Sequence, residues 1–200
     1  MQGHNPARRI DNTTSNTFYD KTRKALLWMN LSHEPFIILY VLLPVILRKN
    51  LDASILQLSI LSALKPILPV FSFYWSAGLT KRRDRLRSNL IGAWVLARIP
   101  FLLVPWINNI WYLIVCCAIY ELFNKSGIPA LIEILKINIP QKMRENTYML
   151  SFVLSFLESM VLGCVIAWGL DWNPSLWPVL ISISAMIGLT SIFFQLKVPL

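Results

Sequence analysis

Five charged residues lie near the middle of five separate apolar stretches of this 200-residue chain. They are Glu34, Lys65, Arg98, Glu121 and Glu158. At a helical rise of about 1.5 Å per residue, each lies roughly 14–18 Å from the start of its stretch, near the centre of a hydrocarbon layer about 30 Å thick. A charge at that depth costs about 2.5–3.5 kcal/mol on insertion scales. Because five stretches carry a charge at one depth, we expect a bundle whose polar interior lets acids and bases face each other.

Such an interior has two possible uses. The charges pair only to hold helices in register, or they line a water-filled cavity that binds a solute or a proton, which is what ionisable groups inside membranes usually mark. His33 beside Glu34 is either a helix-contact residue or a group that titrates near neutral pH and suits proton coupling. Pro35 is expected to interrupt its helix there, as in the discontinuous helices of transporters. Lys125 follows Glu121 by one turn, a spacing that allows an ion pair. The candidate solute- and ion-binding residues are His33, Glu34, Lys65, Arg98, Glu121, Lys125 and Glu158.

The composition places these charges in a membrane protein. Hydrophobic residues make up 56% of the chain, charged residues 14%, and mean hydropathy is +0.55. Soluble domains carry about 25% charged residues, so a soluble domain is excluded, as are disorder and a disulfide scaffold. Three cysteines in apolar stretches are expected to be small buried side chains. Neither a nucleophile–base arrangement nor metal-ligand spacing is present, so we expect no enzyme activity, metal or cofactor.

Six stretches are long and apolar enough to predict transmembrane helices. They are residues 25–47, 53–79, 89–107, 110–130, 147–170 and 175–196. The predicted fold is therefore an all-α integral membrane bundle over residues 25–200, preceded by a polar cytoplasmic tail at residues 1–24.

Positive charge sets the orientation of the bundle. Fourteen of the 19 Lys and Arg residues fall in segments on the side of the N-terminus, and only Arg48 and Lys49 fall on the other side. Both termini are therefore predicted to be cytoplasmic, in a plasma membrane of the bacterial inner-membrane type. Tryptophans are expected in belts at the two headgroup regions. The outer belt would hold Trp106, Trp111, Trp168, Trp172 and Trp177, and the inner belt Trp28, Trp75 and Trp94.

A short basic loop joins spans two and three on the cytoplasmic side. Its charged residues are Lys81, Arg82, Arg83, Asp84, Arg85 and Arg87. Such a loop could contact nucleic acid or anionic lipid. Beside a membrane it is best explained as an orienting loop against anionic headgroups, so membrane lipid is the expected partner and nucleic acid is not.

The two halves of the bundle carry a weak repeat. Glu34 and Glu121 are 87 residues apart, Lys65 and Glu158 are 93 apart, and three spans separate the members of each pair. Spans one to three and four to six would then be related by inverted topology, as in nested three-helix transporter repeats.

With these features the chain resembles the N-terminal half of a major facilitator superfamily transporter. The resemblance covers about residues 20–200 and rests on six spans, the cytoplasmic N-terminus and two segments. Residues 78–87 look like the family's basic loop between spans two and three. The stretch from Gly127 through Pro140 to Arg144 looks like its fourth span and following loop. In that family the third span is usually peripheral, which implies a structural role for Arg98.

The resemblance implies transport of a small solute by alternating access, with or without coupling to protons. Since such transporters place the solute between two six-helix halves, we expect this chain to act as one half or a truncated form. Its partner would be a second half, either another chain or a second copy. The alternative is a non-transporting membrane scaffold, an assembly subunit or an inactive remnant. The substrate's charge cannot be chosen from the residues, because three acids and three bases lie within the spans.

Overall fold

The structure is a computed structural model that describes residues 6–76 and 83–199. Within these ranges it consists of helices and turns, with no strand. The helices are α1 (Pro6–Leu51), α2 (Ile55–Ser76), α3 (Leu86–Leu102), α4 (Ile110–Ser126), α5 (Ile128–Asn138), α6 (Gln141–Trp172), α7 (Trp177–Thr190) and α8 (Ile192–Gln195). Single 3-10 turns at Arg83–Arg85 and Pro174–Leu176 lead into α3 and α7.

The prediction of a helical membrane protein is confirmed. Among the described residues, five segments are long and apolar enough to cross a membrane: Thr17–Leu51, Ile55–Ser72, Ile110–Asn138, Gln141–Trp172 and Pro174–Gln195. They match predicted spans one, two, four, five and six. The predicted third span, 89–107, overlaps α3 (Leu86–Leu102). That helix has 17 residues. At about 1.5 Å per residue it extends roughly 26 Å, slightly less than the hydrocarbon thickness.

Helix α1 runs from Pro6 to Leu51, so residues 6–24 of the predicted polar tail are helical and continuous with the first span. It also continues through Pro35, so the expected interruption of the helix is wrong. A proline removes one backbone donor and introduces a clash, which a membrane helix packed among neighbours accommodates without ending. The site is therefore built on an unbroken helix.

The helices pack in a pattern with internal symmetry. Helix α1 packs against α6 and α7, α4 packs against α2 and α3, and α3 packs against α7. Span one therefore contacts spans five and six, span four contacts spans two and three, and span three contacts span six. This set of contacts stays the same when span one is exchanged with span four, span two with span five, and span three with span six. Two three-helix units related by inverted topology, which the weak repeat in the sequence predicts, would show this contact pattern.

The interior is layered along α1. The buried residues between Phe36 and Leu47, Tyr40 among them, belong to a large core shared with α3, α4 and α7. Residues from Ala25 to Met29 belong to two smaller apolar cores near the other end of the bundle, shared mainly with α3 and α5. Between them α1 carries only Asn30, Leu31, Ser32, His33, Glu34 and Pro35. A polar layer therefore crosses the bundle between two apolar layers.

The start of α4 provides a test of the fold. The Asn109 side chain caps this helix, its Oδ1 accepting from the backbone N–H groups of Trp111 at 2.8 Å and Tyr112 at 3.4 Å. Asn109→Ala is expected to lower the free energy of unfolding by about 1 kcal/mol, because two helix-terminal donors lose their acceptor. Thermal unfolding in detergent measures this. Asn108→Ala, at the neighbouring exposed amide that caps nothing, serves as the control, and equal effects of both changes would contradict the capping role.

Candidate functional site at the membrane centre

The polar layer brings together side chains from five helices, which we call the central cluster. It consists of His33, Glu34 and Tyr40 of α1, Lys65 of α2, Arg98 of α3, Tyr120 and Glu121 of α4, and Glu158 of α6. Hydrogen bonds, ring contacts and short-range charge interactions connect them, as described below.

Arg98 is the most deeply buried charge of the cluster, with 0% of its surface exposed. One guanidinium nitrogen donates to the Trp94 carbonyl at 3.1 Å and another contacts His33 Nδ1 at 2.6 Å. The guanidinium carbon lies 3.4 Å from the centroid of the Trp94 ring. No carboxylate of the described residues lies within 4.0 Å of it, and its Nε has no hydrogen-bond partner there. Arg98 is thus held by an imidazole, a carbonyl and an aromatic face instead of an acid.

The contact with Arg98 fixes the protons of His33. A guanidinium only donates, so His33 Nδ1 must accept and cannot carry a proton in this arrangement. The remaining proton lies on Nε2, which is 3.2 Å from the Tyr120 hydroxyl. Asn124 also donates to that hydroxyl, at 3.3 Å. His33 thus makes the contacts expected of a helix-contact residue, with the Arg98 guanidinium against its ring, and its titration near neutral pH stays a prediction.

A second branch of the cluster joins α2 to α4 through α1. The Tyr40 hydroxyl donates to Glu121 Oε1 at 2.9 Å, and Glu121 is only 6% exposed. Lys65 Nζ lies 5.3 Å from the centroid of the Tyr40 ring, within the range of a cation–π contact. The expected ion pair between Glu121 and Lys125 does not form. Lys125 is exposed and lies within electrostatic range of His33.

The third branch follows the seam between α1 and α6. Asn30 donates to Ser151, and Ser159 donates to Glu34. Glu158 lies within electrostatic range of Glu34, and its Oε2 atom is buried without a hydrogen-bond partner among the described residues. The polar residues of α6 recur at helical spacing on the face toward α1, which is why they meet the polar turn of that helix. This seam holds two carboxylates at the centre of the membrane.

Of the seven predicted residues, the structure brings His33 into contact with Arg98 and Glu34 into electrostatic range of Glu158. Glu121 and Lys65 are connected only through Tyr40, and Lys125 lies within electrostatic range of His33. The expected pairing of acids with bases is wrong. The two ion pairs in the described part of the chain are Asp84–Arg85 and Glu133–Lys136, both outside the cluster.

The basic loop is only partly described. Lys81 and Arg82 lie outside the described residues, as does the side chain of Arg83. Asp84 and Arg85 are exposed. Arg87 donates to the Val198 carbonyl and so joins the loop to the C-terminal segment. The loop therefore makes no contact with the central cluster through the residues that the structure describes.

Sequence reasoning missed three partners in the cluster: Trp94, Tyr120 and Ser159. Trp94 was assigned to the inner headgroup belt, but it is 8% exposed and its Nε1 donates to the Gly188 carbonyl at 2.8 Å. Trp177, assigned to the outer belt, is also buried. The four-residue spacing from Trp94 to Arg98 was a usable signal, since it stacks the two on one helix face. Tyr120 follows His33 by the same 87 residues that separate Glu121 from Glu34.

Comparisons with known proteins add no identification: no family model, curated protein or solved structure matches the chain.

Gly188 of α7 is the point at which Arg98 is held most tightly. A Cβ added there would lie 2.5 Å from Arg98 Nε and 3.5 Å from the Ser32 carbonyl oxygen. Because Arg98 is fully buried and cannot move aside, Gly188→Ala is expected to lower the free energy of unfolding by about 1–3 kcal/mol. Thermal unfolding in detergent measures the change.

Gly163→Ala on α6 is the matched control for this prediction, since a Cβ there meets nothing within 4 Å. Alanine favours a helix over glycine by about 1 kcal/mol, so this variant should be no less stable than the parent. If Gly188→Ala is also as stable as the parent, Arg98 does not lie against α7.

Proposed function

We propose that this chain is one half of an alternating-access transporter for a small solute, of the kind found in the major facilitator superfamily. The observation that carries the proposal is the central cluster, a layer of charged and polar side chains from five helices between two apolar layers. Charges at this depth are costly, and in membrane proteins they usually mark a solute or ion pathway. The contact pattern of the spans supports the proposal, because inverted three-helix repeats are typical of such transporters.

The uncovered faces of α2 and α6 favour a second half as partner. In the apolar 18-residue stretch of each of these helices, only 11% is buried inside the protein. The corresponding stretch of the segment Ile110–Asn138, which contains α4 and α5, is 50% buried. Lys65 of α2 and Glu158 of α6 belong to these two helices, so polar groups of the central cluster lie on the helices with the largest uncovered faces. A polar face turned to lipid is unfavourable, whereas a second copy or another six-helix chain would enclose it. The two halves would then rock about a solute bound between them, with both termini of this chain on the cytoplasmic side of the plasma membrane.

Proton coupling in this proposal belongs to carboxylates rather than to His33. Glu34 and Glu158 lie close together on the seam between α1 and α6, and neither forms an ion pair in the described chain. A proton taken up or released by this pair of carboxylates would change the charge of the seam.

A structural role is the competing function. Its support is Arg98, which is enclosed by Trp94, His33 and α7 with no exposed surface and could serve only to hold helices together. A scaffold or assembly subunit would need no more than that. The two functions predict different results when a carboxylate is replaced by an uncharged amide of the same size.

The test replaces Glu34 by Gln and Glu158 by Gln in bacterial cells that produce the chain. Solute content is profiled by mass spectrometry after exposure to a defined mixture of small metabolites, and the amount of folded protein is measured separately by size-exclusion chromatography. We expect the parent to accumulate or deplete particular solutes relative to cells without it. Each variant should reduce that difference at least about tenfold, since a charge-assisted interaction is worth about 1.5–3 kcal/mol.

Glu145→Gln, which changes an exposed carboxylate in the first turns of α6, should leave the solute profile and protein amount unchanged. Identical profiles with and without the folded parent protein would refute transport. Loss of the folded protein in Glu34→Gln would assign Glu34 to structural pairing.

A further inference from the structure

The charges of the central cluster differ in exposure according to their sign. Three acids and three bases lie within the spans, so their number gives no net preference. The acids are turned inward, whereas two of the three bases are exposed. This asymmetry is a property of the packing, and it bears on which solutes the uncovered face can bind.

Each acid already has an internal environment. Glu121 is buried and accepts from Tyr40, and Glu34 accepts from Ser159. Glu158 is half-buried, with its Oε2 atom fully enclosed. A cationic solute would have to displace these internal contacts before it reached most of the carboxylate oxygens.

Two of the bases, unlike the acids, are exposed. Lys65 and Lys125 are exposed, and neither has a carboxylate within 4.0 Å in the described chain. The ring of Tyr40 is the one described contact of the Lys65 ammonium. Arg98 is a third cation of the cluster, buried and without an ion pair among the described residues. An ammonium at this depth is costly without an anion, so the uncovered face favours a negatively charged ligand.

Two hydroxyls on α2 extend this face. Ser59 and Ser62 are exposed like Lys65, and they precede it at intervals of three residues, about 4.5 Å along the helix axis. Neither hydroxyl has a hydrogen-bond partner among the described residues. Hydroxyl and ammonium donors in one row suit the oxygens of a carboxylate or a phosphate, and they do not suit contact with lipid chains.

We propose that Lys65, assisted by Ser62, binds the anionic group of a small solute that carries a carboxylate or a phosphate. Lys125, within electrostatic range of His33, adds positive potential at the edge of the cluster. This inference rests on the proposed transport function and names its substrate class. Arg98, deeper in the cluster, adds positive charge without touching the solute.

The test measures binding of radiolabelled succinate, inorganic phosphate and choline to the full chain in nanodiscs made only of phosphatidylcholine. We expect succinate or phosphate to bind and choline not to bind. Lys65→Gln should weaken anion binding at least about tenfold, which corresponds to about 1.4 kcal/mol. Lys65→Arg keeps the charge and should retain most of the affinity. Lys142→Gln, at an exposed lysine in the first turn of α6, should bind like the parent.

Ser62→Ala keeps the test valid if Lys65→Gln does not fold, because it removes one exposed donor and should weaken anion binding severalfold. Binding of choline but not of the anions would overturn the inferred sign of the ligand. Equal anion binding by the parent, Lys65→Gln and Ser62→Ala would overturn the inferred site.

The phosphate of a lipid headgroup is the other ligand that Lys65 could bind. Native mass spectrometry after adding phosphatidylglycerol tests this. If Lys65 retains that lipid and no soluble anion binds, the inference of a solute is refuted. None of these results decides whether transport occurs, which the uptake experiment measures independently.

Discussion

A guanidinium enclosed at the centre of a membrane bundle without an acidic partner constrains everything around it. Arg98 donates hydrogen bonds to the Trp94 carbonyl and to His33 Nδ1. Its charge is stabilised by a cation–π contact with the Trp94 ring. These partners come from α1 and from its own helix, while Gly188 lets α7 approach closely enough to seal the site. Because removing such a charge from water is expensive, the three helices cannot separate or slide without exposing an unsatisfied cation.

That constraint also decides the roles of the neighbouring groups. With Arg98 against Nδ1 and the Tyr120 hydroxyl against Nε2, both ring nitrogens of His33 are engaged inside the bundle. Glu34 and Glu158 lie apart from these contacts, at the seam of α1 and α6. The cluster thus divides into an enclosed part around Arg98 and a seam of serines and acids.

The packing of the helices links the fold to this division. Span one contacts spans five and six as span four contacts spans two and three, and α1 and α4 each supply polar residues to the central cluster. His33 and Tyr120, which are 87 residues apart like Glu34 and Glu121, are hydrogen-bonded to each other. An offset in the sequence thus corresponds to a contact in space.

The sequence by itself determined the helical membrane class, most of the spans and the depth of the charges, because hydropathy and the rise of a helix act locally along the chain. It also identified Glu34, Lys65, Arg98, Glu121 and Glu158 as one layer. Which of them touch was decided only by the tertiary structure, since the rotation of each helix about its axis depends on packing with its neighbours. That rotation gave Arg98 an imidazole instead of an acid, and buried Trp94 and Trp177 away from the headgroups. It also turned the acids inward and the lysines outward, a difference in exposure that a count of equal charges does not contain.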